Sequence, residues 1–125
     1  MSKKILIADD ESDVVELIEN ALKLEGYDVL IADTGINALI QTIEQHPDLL
    51  LLDVRMPAGT GVGVYENILK RKELCQTPVI FITAFSTPEL KERVLSMGAA
   101  GFVQKPFDTD LLVQMIQSCL ATEPN

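Results

Sequence analysis

The stretch Asp48-Leu49-Leu50-Leu51-Leu52-Asp53-Val54-Arg55-Met56-Pro57 decides the fold. Four consecutive leucines are too few for a membrane span and too apolar for a half-exposed strand. They read as a strand buried on both faces, as at the centre of a parallel sheet. Asp53 follows them directly, and Pro57 and Gly59 break the strand into a loop. A carboxylate at the C-terminal end of a central parallel strand points into the crevice where open α/β sheets bind ligands. From this stretch alone, Asp53 reads equally well as a solvated aspartate at the start of a loop.

Outward from the leucine run, apolar strands alternate with amphipathic helices. Lys4 to Ala8 is a first strand, ending at the acidic run Asp9-Asp10-Glu11. Val14, Leu17, Ile18, Ala21 and Leu22 recur at helical spacing, and Gly26 stands where a left-handed C-cap belongs. Tyr27 to Ala32 is a second strand. Thr34 caps a second helix carrying Ile36, Leu39, Ile40 and Ile43, which stops at His46 before Pro47. After the leucine strand, Gly59-Thr60-Gly61-Val62-Gly63 reads as a flexible loop. It lacks the G-x-G-x-x-G spacing of a phosphate cradle, because Val64 stands at the third glycine site. A short third helix ends at Lys70-Arg71-Lys72, and Val79 to Thr83 is the fourth strand. Ser86-Thr87-Pro88-Glu89 has capping-box spacing and opens a fourth helix that ends at Gly98. Gly101 to Gln104 is the fifth strand, and Asp108 caps a last helix with Leu112, Met115, Ile116 and Cys119 on one face. Parallel strands with helical crossovers follow, giving a three-layer, doubly wound α/β domain of five strands over residues 1–121. Thr122 to Asn125 reads as a frayed tail, either the end of a stand-alone protein or the start of a linker.

Composition narrows the function. The chain has 125 residues, 47% of them hydrophobic, which suits one domain with one core. Asp and Glu number 19 against 10 Lys and Arg, for a net charge of −9. That balance opposes nonspecific binding to nucleic acid or to an anionic membrane. No apolar run approaches the ~20 residues of a membrane-spanning helix, and Ile5 to Ala8 is too short for a signal-peptide core. The expectation is a cytoplasmic protein. Cys75 and Cys119 have neither CxxC nor zinc spacing and read as reduced thiols. His46 is the sole histidine, which excludes a multi-histidine metal site.

In a parallel sheet the C-terminal ends of all strands share one edge. Asp9, Asp10, Asp53, Thr83 and Lys105 therefore surround one crevice. Two like charges about 4 Å apart repel by about 4 kcal/mol at an effective dielectric of about 20. Such a cluster calls for a cation or for shifted pKa values. All-oxygen ligands favour Mg²⁺, and an aspartate can also attack phosphorus to form an aspartyl phosphate.

These pieces resemble the receiver domain of two-component response regulators, chemotaxis regulators among them. The matching residues are Asp9-Asp10, Asp53-x-x-Met56-Pro57 with Gly61, Thr83-Ala84 and Lys105-Pro106, in order and each at a strand end. The resemblance spans nearly the whole chain and implies a flavodoxin-like sheet of strand order 2-1-3-4-5. It implies that Asp53 is the phosphoacceptor, that Asp9, Asp10, Asp53 and the backbone carbonyl of Arg55 hold Mg²⁺, and that Thr83 and Lys105 bind the phosphoryl group. Thr83 and Phe102 would form the switch, although Phe102 also reads as ordinary packing, since it lacks the hydroxyl of the usual Tyr. A cis Lys105-Pro106 bond is implied as well. So are partners: a histidine kinase or phosphotransfer protein upstream, and an effector protein or a further output domain downstream. The chain would assist its own phosphorylation and dephosphorylation without being an enzyme. Arg55 and Phe85 would border the path of the hydrolytic water and slow the loss of phosphate.

Three rivals remain. An aspartate-nucleophile phosphohydrolase usually has a second acid two residues after the nucleophile, where this chain has Arg55. A flavodoxin-like binding module lacks an obvious aromatic pair for a flavin here. A degenerate receiver would not keep the acidic set intact.

Overall fold

The computed structural model describes residues 2–121. Five strands and five helices alternate: β1 (Lys4–Ala8), α1 (Ser12–Leu24), β2 (Asp28–Ala32), α2 (Gly35–Gln45), β3 (Leu49–Asp53), α3 (Gly61–Leu69), β4 (Val79–Thr83), α4 (Pro88–Ser96), β5 (Gly101–Gln104) and α5 (Thr109–Ala121). All pairings are parallel, in the order β2-β1-β3-β4-β5. The flavodoxin-like order expected from the resemblance is therefore present. The expected tail, Thr122 to Asn125, lies outside the described residues.

The leucine run is the centre. Every residue of β3 is buried. Its side chains alternate between two apolar layers, as the period of two in a strand requires. Leu50 and Leu52 join Leu6, Val79 and Phe81 under α2, α3 and α4. Leu49 and Leu51 join Ile5, Ile7, Ile80 and Ile82 under α1 and α5, through Val15, Ile18, Leu22, Leu112 and Ile116. Each fully buried leucine contributes about 1.5–3 kcal/mol relative to exposure.

Local rules set most boundaries. Thr34 and Asp108 cap α2 and α5 as expected, the first accepting from Asn37 N–H and the second from Asp110 and Leu111 N–H. His46 closes α2 in the left-handed conformation, with φ 47°. Three boundaries differ from expectation. Tyr27 is not in β2: its N–H and that of Gly26 bond back to Leu22 and Lys23, closing α1 with a Schellman motif. Thr87, not Ser86, caps α4, accepting the Leu90 N–H at 3.1 Å. The supposed flexible glycine loop is largely helix, because Thr60 accepts the Gly63 N–H and α3 starts at Gly61.

Candidate functional site

The site lies where β1, β3, β4 and β5 end. Asp9 follows β1 directly, and its N–H is fixed to Ala32 at 3.1 Å. Its Oδ1 accepts the N–H of Glu11 at 2.9 Å. Asp53 ends β3 and repeats the pattern, its Oδ1 accepting the N–H of Arg55 at 3.2 Å. This local bond from an aspartate to the backbone two residues on is how Asx turns hold a chain leaving a strand. It aims the second oxygen of each carboxylate into the crevice.

Asp9 and Asp53 are almost sealed from solvent, at 3% and 5% exposure, while Asp10 is exposed. One carboxylate oxygen from each of the three lies within 4.8 Å of the others. Lys105, on the loop after β5, enters this cluster. Its backbone N–H is fixed to the Thr83 carbonyl at 2.8 Å. Its Nζ lies 2.7 Å from Glu11 Oε1, 2.8 Å from Asp9 Oδ2 and 3.1 Å from Asp53 Oδ2. The Lys105-Pro106 peptide is cis, as the resemblance implies.

Electrostatics follow from this geometry. Burial pushes the Asp53 carboxyl above its ordinary pKa, and the neighbouring Asp9 charge pushes it further; Lys105 and the Arg55 N–H oppose the rise without cancelling it. For Lys105, burial disfavours the charge, but the carboxylates of Asp9, Glu11 and Asp53 outweigh it and raise the pKa. The contact of Lys105 with Asp9 Oδ2 is an ion pair without hydrogen-bond alignment, so that buried oxygen lacks an aligned donor. An all-oxygen set with one such atom suits a hard divalent cation such as Mg²⁺.

Thr83 ends β4 fully buried, and its Oγ1 accepts the N–H of Phe85 at 3.0 Å. Arg55 does not join the cluster through its side chain; its guanidinium rests on the Phe85 ring. Phe102 is half-buried on β5, opposite Phe81, and packs against the core layer under α2, α3 and α4. The structure thus brings Asp9, Asp10, Asp53 and Lys105 together and leaves Phe102 half-buried against the core layer. Sequence reasoning noted Glu11 only as part of an acidic run. Its pairing with Lys105 spans 94 positions and has no local signature.

Among the described residues, no helix is long and apolar enough to cross a membrane. The model of the response regulator receiver domain matches residues 5–117. Similar solved structures include the non-phosphorylated HemR receiver domain from Leptospira biflexa, 28% identical, with a TM-score of 0.90 and 99% of each chain covered. The Vibrio cholerae chemotaxis protein CheY4 is 28% identical, with a TM-score of 0.88 over 96% of this chain and 100% of that one. A protein described as a response regulator from Chloroflexus aurantiacus is 30% identical, with a TM-score of 0.90 over 97% and 99%. The family match covers the sheet, the acidic strand ends and Lys105 together, and on it this chain belongs to the receiver domains of two-component response regulators.

Proposed function

We propose that this receiver is a phosphorylation-dependent switch whose acceptor is Asp53. One observation carries the reading: Lys105 Nζ stands 3.1 Å from Asp53 Oδ2, beside two further aspartates whose oxygens lie within 4.8 Å. A phosphohistidine of a histidine kinase or phosphotransfer protein would be the donor. An Asp53 carboxylate oxygen attacks phosphorus in line, the P–N bond breaks, and its electron pair leaves on the imidazole, giving aspartyl phosphate and free histidine. Asp9, Asp10, Asp53 and the Arg55 carbonyl would hold Mg²⁺. When bound, the ion neutralises charge on the transferring oxygens. Lys105 turns from the carboxylates to a phosphoryl oxygen as a second cation.

Thr83 links this event to the surface. Its hydroxyl oxygen now accepts the Phe85 N–H. Turning that hydroxyl toward a phosphoryl oxygen redraws the loop leading into α4, and Phe102 follows into the space vacated. The surface of α4, β5 and α5 then differs between two packings, and the phosphoryl group favours one through contacts that it makes in that one alone. An effector protein, or an output domain in the same polypeptide, reads the difference. Beside Lys105, the side chains of Val14, Leu17, Ala84, Pro106 and Phe107 line an apolar hollow that suits an incoming donor protein.

The test is intact mass after incubation with acetyl phosphate and Mg²⁺. Wild type should gain the mass of one phosphoryl group and Asp53→Asn none. Equal labelling of both proteins would sink the assignment.

A further inference from the structure

Two backbone hydrogen bonds fasten α2 to the loop that follows Asp53. The N–H of Gly35 donates to the Pro57 carbonyl at 3.1 Å, and that of Ile36 to the Ala58 carbonyl at 2.8 Å. These are first-turn groups with no partner inside their own helix, so the loop serves as a backbone cap. The approach is closer than any side chain would permit. A Cβ on Gly35 would stand 2.1 Å from the Gly59 carbonyl oxygen and 2.5 Å from its carbon, where real Cβ atoms stay beyond 3.0 Å. The obstructing atoms are backbone, so no rotamer change relieves the clash. The far end of the loop is fastened too: Gly61 N–H donates to the Val54 carbonyl at 2.9 Å, and a Cβ on Gly61 would lie 2.2 Å from the Asp53 carbonyl oxygen. Ala58, with φ 54°, and Gly59, with φ 114°, turn the chain between the two pins.

We infer that Gly35 is a positioning residue for the cation site. The first turn of α2 holds the loop of residues 54–60, and with it the Arg55 carbonyl, at a fixed distance from Asp53. The inference rests on the reading of this pocket as a Mg²⁺ centre. Mg²⁺ accepts little departure from octahedral geometry at about 2.0–2.1 Å. A side chain at position 35 must open a 2.1 Å separation to at least 3.0 Å, and the loop that carries Arg55 takes up that movement.

The experiment is calorimetric titration of Mg²⁺ into wild type, Gly35→Ala and Gly26→Ala, with metal-free melting temperatures for all three. Gly26 has a positive φ of 88° but nothing within 4 Å, so its variant carries backbone strain without a clash, the reverse of Gly35→Ala. Gly35→Ala should bind Mg²⁺ about tenfold or more weakly, as loss of an outer support typically does, while Gly26→Ala keeps wild-type affinity. Amide hydrogen exchange in wild type gives an independent reading. Saturating Mg²⁺ should slow exchange at Ile36, since coupling between the two sites is reciprocal. Wild-type affinity in a folded Gly35→Ala, or unchanged exchange at Ile36 while Mg²⁺ binds, overturns the inference. A wild type that takes up no Mg²⁺ at all removes the cation reading first and this inference with it.

Discussion

The guanidinium carbon of Arg55 lies 3.9 Å from the centroid of the Phe85 ring. One residue stands two positions after Asp53 and the other two after Thr83, so the stack bridges the two loops that leave the site. The guanidinium is planar and weakly hydrated, which suits it to an aromatic face. Phe85 is otherwise half exposed, and the contact gives its ring a partner. At exposed sites such pairs contribute about 0.5–1 kcal/mol.

That stack sets an expectation for the lifetime of the phosphorylated state. Phe85 cannot orient a water, and on this expectation the two stacked side chains would narrow the approach to Asp53. Arg55→Asn and Phe85→Ala should each speed the decay of phosphorylated Asp53. If the stack is the shield, the double variant should decay little faster than either single one. The decay rates of the four proteins decide it; full additivity would mean that the two side chains act separately.

Charge at Asp53 works against folding when no metal is bound. Its folded-state pKa is raised, chiefly by burial and next by Asp9. Between the unfolded and folded pKa values the native state therefore holds more protons, and stability falls as pH rises through that window. Asp53→Asn should melt higher than wild type in EDTA at neutral pH, and the gap should close on acidification. Thermal melts across that range, showing no gap at neutral pH, would contradict the desolvation account.

Asp10 offers a simpler case of repulsion. It is exposed, so Asp10→Asn should raise the metal-free melting temperature only slightly. The same change should shrink the rise that Mg²⁺ produces by binding the folded state. Melting temperatures with and without Mg²⁺ check both signs.

Lys105 and Glu11 should separate by magnitude. Lys105→Met leaves Asp9 and Asp53 buried without their cation, and removing one partner of a buried pair costs about 3–5 kcal/mol. Glu11 is 56% exposed at its side chain. Glu11→Gln should therefore cost less than about 1 kcal/mol, the range of exposed ion pairs. Urea unfolding of both variants in EDTA tests the contrast, and Mg²⁺ should recover more stability in Lys105→Met than in wild type.

The sheet was legible because its residues speak locally. Buried strands such as Leu49–Asp53 and Val79–Thr83 are written as apolar runs, and helix ends are marked locally, by the backbone freedom of Gly26 and by the capping side chains of Thr34 and Asp108. The acidic strand ends were legible for a related reason: parallel topology alone brings Asp9, Asp53 and Lys105 to one edge. Tyr27 was misread as strand because its apolar ring looks the same in a Schellman closure. Ser86 and Thr87 are both good caps, and the choice between them turns on which residue precedes Pro88 directly. Glycines 61 and 63 read as loop because glycine disfavours helix. Only the three-dimensional approach of Gly61 to the Asp53 carbonyl shows why a side chain is excluded at the start of α3. The pairing of Glu11 with Lys105 and the rest of Arg55 on Phe85 join loops far apart in sequence, where no periodicity reports them.

The burial of every residue of β3 has a kinetic meaning. Amides at the centre of a sheet exchange their hydrogens only when the whole domain opens, whereas loops open by themselves at little cost. Asp53 is the last residue of that strand, so its main chain belongs to the slowest-opening part of the protein. Phe85 and Glu11 stand outside the strands, on segments of the kind that open locally at far lower cost than a central strand. The site can thus reshape its rim quickly around a carboxylate that keeps its place until the fold itself is lost.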